Sequence, residues 1–555
     1  MGHGIQSLLG GVAAVGLGLA TFMGRFEPST ERQPFSDGQG AREERASPER
    51  ASPERPRRTV DVAEATSPGR TTHVAAGGDL QAALDGARPG DAITLDPGAT
   101  YRGPFRLPRK EGSGWIVIRP RTERGLPPPG QRVAPSHARL MPKLVAAGDS
   151  VVETDAAAHH YRLEGLEIAP ADGVFVRGAV VQFGAKETDV ASLPHHLIID
   201  RCYIHGDPRR GTRRGVAVNS RETAVVNSYV SDFKEVGADS QAIAGWNGAG
   251  PFKIANNYLE AAGENVMFGG ADPSIPNLVP GDIEIVRNHL AKPLRWKEND
   301  PAFEGTAWAV KNLFELKNAE RVLVDGNLFE YNWPHAQNGF AILFTPRNQN
   351  GAAAWSVVQD VTFVNNVVRH VAAAINVLGH DDIHTSQPTR RIAIRNNLFV
   401  DVGGTWGRGR LFQLLDGTTD VTIEHNTAVQ TDAILWSGDR TPHTSFVFQN
   451  NIAINNSYGI LGEGTSAGRS TLERYFPRAI VRRNVIVGAS AEQYPPDNFF
   501  PASIGQVGFA APRAADFRLV PSSAYKHAGT DRRDVGVDMD VLEPLLASPS
   551  ASAPQ

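Results

Sequence analysis

Residues Arg321 to Trp333 read RVLVDGNLFEYNW. Val322 and Val324 alternate with residues free to face outward, the chain turns at Asp325-Gly326-Asn327, and a second apolar pair, Leu328 and Phe329, follows. This is a strand running into a tight polar corner. The phrase recurs as LIIDRCYI, AVVNSYV, KIANNYL, EIVRNHL, TFVNNVV, AIRNNLF, TIEHNTA, VFQNNIA and IVRRNVI. Aligned on the corner, one column holds Cys202, Ser228, Asn257, Asn288, Asn327, Asn366, Asn397, Asn426, Asn451 and Asn484.

Neighbours in that column stand 26, 29, 31, 39, 39, 31, 29, 25 and 33 residues apart. A feature repeating at this period marks a solenoid. The intervals hold short β-branched and aromatic runs broken by Gly, Asn and Asp, with no helical periodicity, so the expected fold is all-β: a single right-handed parallel β-helix. Asparagine suits the corner because it tolerates left-handed backbone and because amides stacked coil above coil can hydrogen-bond along the axis. The column is therefore structural.

The corners, together with GDLQAALDGARPGDAITLDPGATYRGPF at Gly78 to Phe105, resemble bacterial members of the pectate-lyase-like right-handed β-helix superfamily, over roughly residues 72 to 541. The resemblance implies a scaffold that carries lyases, hydrolases, epimerases and non-catalytic adhesins, so function has to be read from the site. The Asn-Thr-Asp phrase of polygalacturonase-like hydrolases and the Trp-Ile-Asp-His phrase of well-known pectate lyases are both missing, and Gly-His-Gly occurs only at Gly2 to Gly4.

Among the 555 residues, 56 are basic and 60 acidic, a formal net charge of -4. No global field marks a nucleic-acid binder, and an anionic substrate needs a local basic patch. The single cysteine, Cys202, rules out an internal disulfide and a cysteine-built zinc site, and reads as a small core residue. Ile5 to Met23 is an apolar, glycine-rich run that reads as a signal peptide or membrane anchor over residues 1–24. Residues 25–70, with ASPER repeated at Ala46 to Arg50 and Ala51 to Arg55, read as a disordered linker. The solenoid is expected over residues 71–541 and a disordered tail over 542–555. The chain is thus expected to be a monomer that is secreted, periplasmic or tethered outside the cytoplasm. Leu80, Ala83, Leu84 and Ala87, with Asp79 as N-cap and Pro89-Gly90 as stop, predict a short helix capping the first coil.

Because the core of a β-helix is repetitive, chemistry is sought on outward-facing residues and on loops that break the period. The two 39-residue intervals do so. The first, KPLRWKENDPAFEGTAWAVKNLFELKN, brings Arg295, Lys297, Lys311 and Lys317 together with Trp296, Trp308, Glu304 and Glu315. Period two would put Lys311, Leu313, Glu315 and Lys317 on one outer face. The second, WPHAQNGFAILFTPRNQNGAAAW, supplies Trp333, His335 and Arg347, while neighbouring coils add Glu264, Asp272, His380, Asp381, Asp382 and His384. Basic groups and indole faces are what an acidic polysaccharide requires.

Each feature also has a plainer reading. A Lys–Glu row is often a solvated face, tryptophans pack loops down, His335 after Trp-Pro is a turn residue, and HDDIH is a solvated turn. β-Elimination from a uronate needs a base, here Lys311 or Lys317, a cation to neutralise the carboxylate, and an acid for the leaving oxygen. Lys311, Lys317, Glu315, Arg295 and His335 form the candidate catalytic set, with Trp296, Trp308, Trp333, Arg347 and Lys297 for binding. Ca2+ is the one candidate cofactor, through Glu264, Asp272 and Glu304. Hydrolysis by two of the carboxylates and carbohydrate binding without catalysis remain the alternatives.

Overall fold

The computed structural model describes residues 51 to 547; the expected signal or anchor segment, residues 25–50 and residues 548–555 lie outside it. Three long sheets of 14, 13 and 12 strands run the length of the chain, and every pairing within them is parallel. Each coil contributes one strand to each sheet in turn. His195–Asp200 lies in the first sheet, Tyr203–His205 in the second and Arg214–Val218 in the third. The architecture is the expected parallel β-helix, with a continuous apolar core from Val74 to Tyr494 inside the three sheets.

The asparagine column forms the two-residue corner between first and second sheets. Asn366 Oδ1 accepts from both the backbone N–H and the Nδ2 of Asn327, at 2.9 and 3.0 Å, and Asn366 Nδ2 donates to Asn397 Oδ1 and to Val324 O, each at 3.0 Å. The same pattern runs from Asn257 to Asn484 and adds one rung at Asn498. From Asn257 to Asn484, left-handed backbone falls on the residue before each rung, for example Asn256 (φ 55°), Arg287 (53°) and Asn365 (57°), and not on the rung itself. The ladder position therefore selects asparagine for its amide, and the preceding position carries the turn.

Helix α1 (Leu80–Gly86) begins at Asp79, whose side chain accepts from Ala82 N at 2.9 Å, and buries Leu80 and Leu84 over the first coil. At the far end α2 (Arg469–Tyr475) places Leu472 and Tyr475 in the same core. Cys202 is fully buried there, as expected.

Residues 51–70 differ from the expected linker. They form an extended strap across the outer face of the first sheet. Glu54 N donates to Asp360 and Arg57 N to Asp282, both at 3.0 Å, and the Arg162 guanidinium donates to Val62 O and Ala63 O. Val60 is buried against Ile198, Ala224, Val226 and Ala255. Outward carboxylates supply acceptors that composition alone does not register. The expected tail also begins later than 542, because α3 (Met539–Ala547) buries Met539 and Leu542 with Phe517 and Val537 against Leu328, Val367 and Leu398 of the second sheet. Near the other end, Val133 and Met141 cover Tyr229, Tyr258 and Ala291 of that sheet.

Replacing Asn366 by Ala leaves two buried N–H groups of Asn327 without their acceptor and takes one donor each from Asn397 Oδ1 and Val324 O. We expect a loss of about 3 kcal/mol, read as a lowered midpoint of urea unfolding.

Candidate functional site

Two flanks carry cover, and the chemistry gathers on the outer side of the third sheet. The extra length of the two long coils is inserted on its opposite edges. One insertion, residues 292–313, precedes the strand Phe314–Leu316, and the other, residues 345–357, follows the strand Phe340–Phe344. The first packs as a small core of its own, in which Trp296, Trp308 and Trp333 are buried with Ala262 and Val310. These indoles brace the loop and present no face for a sugar ring, so their expected binding role is corrected.

Opposite, three successive loops brace one another. Asp272 Oδ2 accepts from Asn350 N at 3.0 Å and Ala352 N at 3.1 Å, Trp355 Nε1 donates to Leu278 O, and Asp381 accepts from Asn348 N at 2.7 Å. Asp381 also holds Arg347 at 2.6 Å, with Asp382 at 2.8 Å. Asp272 and the Asp381-Asp382 pair thus build the wall.

Between the walls, strands of the third sheet start in register with Arg214, Gln241 and Glu264. Arg214 Nε donates to Gln241 Oε1 at 2.9 Å, and Gln241 Nε2 donates to Glu264 Oε2 at 2.8 Å. Trp246 lies under the Arg214 guanidinium at 4.9 Å. A second row in register is Ala217, Ala244, Met267 and Glu315, a floor of small side chains rising to a carboxylate. Strict alternation does not hold here, because Leu313 and Phe314 both enter the core; Leu313 does not share the face of Lys311, Glu315 and Lys317. Leu313 precedes the strand Phe314–Leu316, so period two does not reach it.

Lys311 and Lys317 differ in their surroundings. Lys311 Nζ lies 2.5 Å from Asp239 and 3.4 Å from Glu264. Burial works to lower its pKa, but Glu264, Asp239 and Glu315 outweigh it and push it up to about 12. Lys311 is therefore a fixed cation, and its expected role as base is corrected. Lys317 Nζ has Glu315 Oε1 at 3.3 Å as its one ionic partner among the described residues. It stands directly below Arg347, whose backbone N–H donates to Lys317 O at 2.9 Å. Behind it, Gly269 takes φ 94°, and a side chain there would meet the Lys317 Cβ and backbone at 3.0 Å or closer.

Glu264 and Glu315 are buried, and each keeps one oxygen, Oε1 and Oε2 respectively, without a hydrogen-bond partner. Burial, reinforced by Asp239 and Glu315, pushes Glu264 up to about 7. The expected metal trio does not converge: Glu264 faces the groove, Asp272 ties two loops, and Glu304 is largely exposed beside Arg295 at 3.8 Å. Arg295 itself turns to the second sheet, bonded to Glu260 at 2.9 Å and Asp232 at 3.2 Å. His335 accepts from Val310 N through Nδ1, and Lys297 lies 5.9 Å from the Trp406 ring. None of these three joins Lys317. Arg214, Gln241, Asp239 and Trp246 lie in coils of ordinary length, which loop length does not single out; for Arg214 and Gln241 the signal is the first position they share with Glu264 in RGVAV, QAIAG and ENVMF.

A cleft of about 940 Å³ lies elsewhere, between the closing segment and the outer corner of the first sheet. Several of its charges are paired within the protein, Arg395 with Glu424 at 3.1 Å and Lys526 with Asp534 at 2.7 Å. Volume alone does not make it the reactive face.

No protein-family model and no curated protein matches the sequence. Among solved structures, the chain is similar to the alginate lyase AlyGC of polysaccharide lyase family 6, with a TM-score of 0.52 and 16% identity over 86% of this chain and 57% of that one. It also matches the catalytic unit of a family 87 α-1,3-glucanase from Streptomyces thermodiastaticus, with a TM-score of 0.48 and 13% identity over 80% of this chain and 72% of that one. A mannuronic-acid-specific family 6 lyase from human gut microbiota gives a TM-score of 0.48 and 13% identity over 86% and 99%. The fold is the right-handed parallel β-helix.

The raised pKa of Glu264 fixes the sign of a pH effect. A carboxyl whose folded pKa of about 7 exceeds its ordinary 4.5 contributes stability that is fully present below 4.5 and is lost as pH rises through 7. Glu264→Gln should flatten the fall in unfolding free energy across that window by up to about 1.4 kcal/mol per pH unit. Denaturant titrations at several pH values read the difference.

Proposed function

We propose that the chain cleaves an acidic polysaccharide by β-elimination on the outer face of the third sheet. The observation that carries this reading is the placement of Lys317 and Arg347 on consecutive coils, at the edge of the third sheet where the second long insertion begins. One solved structure with this fold is named an alginate lyase, and alginate is a polyuronate. Such polymers lie outside the cytoplasm, in keeping with an exported protein.

In this reading Lys317 Nζ takes the C5 proton of a uronate, the electron pair forms the C4=C5 double bond, and the C4–O bond breaks. The leaving oxygen takes a proton from the Lys317 ammonium or from water. Arg347, held by Asp381 and Asp382, faces the uronate carboxylate, and Lys311 adds fixed positive charge. Carboxylates on this face outnumber these cations, and Glu315 Oε2, without a hydrogen bond, and Glu264 Oε1, with only Lys311 Nζ at 3.4 Å, are hard donors of the kind Ca2+ takes. Calcium bound by this pair would neutralise the substrate carboxylate and make the C5 proton more acidic.

A hydrolase is the second reading, favoured by one observation: Glu264 is pushed up to about 7 with Glu315 acting on it from the adjacent coil, as expected of an acid and its partner.

Incubation with a panel of uronate and neutral polysaccharides, followed by ultraviolet absorbance of the unsaturated product and by reducing ends, separates the readings. We expect absorbance from a polyuronate, reduced by about 10²–10⁴-fold in Lys317→Ala, with the fold intact by circular dichroism. Reducing ends without absorbance, abolished in Glu264→Gln, would establish hydrolysis. Binding with neither product would leave a carbohydrate-binding protein.

A further inference from the structure

Away from this face, the first sheet carries four histidines on two successive coils. His159 and His160 open one strand, His195 and His196 the next, and Glu222 occupies the position after Arg221 on the third. The rings stack coil on coil, His159 on His195 at 4.9 Å and His160 on His196 at 4.3 Å, and the edge of Trp115 closes on His160 at 5.4 Å. Within the strands His195 Nδ1 lies 2.6 Å from His196 Nδ1, and His196 Nδ1 lies 2.9 Å from Glu222 Oε2. One ring nitrogen from each of His160, His195 and His196 falls within 4.8 Å of the other two, and Glu222 Oε2 also lies 3.9 Å from His195 Nδ1.

Three imidazoles converging with one carboxylate are a ligand set for a divalent transition metal. With bonds of about 2.0–2.1 Å, tetrahedral ligand atoms stand about 3.4 Å apart, so modest ring rotations bring this cluster to that spacing. We propose that His160, His195 and His196, completed by Glu222, bind one Zn2+-class ion. Arg58 and Arg221 each approach Glu222 at 4.0 Å, and the ion displaces them from that carboxylate. The ion clips three coils of the first sheet together beside the strap.

The test uses the full chain. His160 and His196 both hold positive φ, 58° and 52°, which asparagine tolerates, so His160→Asn and His196→Asn are the variants to make. Titration with Co2+ should give one saturable site with visible d–d bands, displaced by Zn2+ and weakened at least tenfold in each variant. Zn2+ should raise the melting temperature of the unmodified protein and not of the variants. Failure to saturate, or binding of equal strength in both variants with the fold intact by circular dichroism, overturns the proposal.

Discussion

The ladder amide is the constraint on which the molecule depends. Each asparagine oxygen takes two hydrogens from the coil before it, and each asparagine nitrogen gives two, one to the coil after it and one to a buried carbonyl. No other side chain of that size both donates twice and accepts twice. In the coils that carry the ladder, one corner is therefore fixed at two residues, and insertions enter there only at the other two corners. Both of those border the third sheet, so length variation in this solenoid becomes relief on one face.

That face is electrically crowded. Lys311 is spent on Asp239 and Glu264, and Arg347 on two aspartates, while Glu264 and Glu315 stay buried, each with an oxygen that has no hydrogen bond. A buried carboxylate without full pairing is costly to keep ionised. Two such carboxylates on adjacent coils beneath a groove are what the proposed use of that face calls for.

The fold was legible because its signal is periodic: polar corners at intervals of 25 to 39 residues are visible in a single sequence. The capping helix was legible for the same kind of reason, a cap and an apolar stripe. The site was legible only in part. Long coils pointed to Lys317 and Arg347, but nothing in their order separates Lys317 from Lys311, since the difference lies in Asp239, which reaches Lys311 from another coil. The tryptophans read as sugar platforms because composition does not say which way an indole turns; they pack on one another. Residues 51–70 look unfoldable by composition, yet their partners are outward carboxylates and a buried arginine contributed by distant coils.

The strap also changes how the solenoid comes apart. Stacked coils interact with nearest neighbours, so a bare array can fray one repeat at a time from either end. Residues 54 to 63 touch first-sheet strands from Val358–Val364 down to His159–Glu164, joining coils that share no interface. Lifting one of them strains contacts made with the rest. A thread laid lengthwise across a stack of rungs turns neighbour-by-neighbour coupling into a shared load, and that half of the molecule opens as a block.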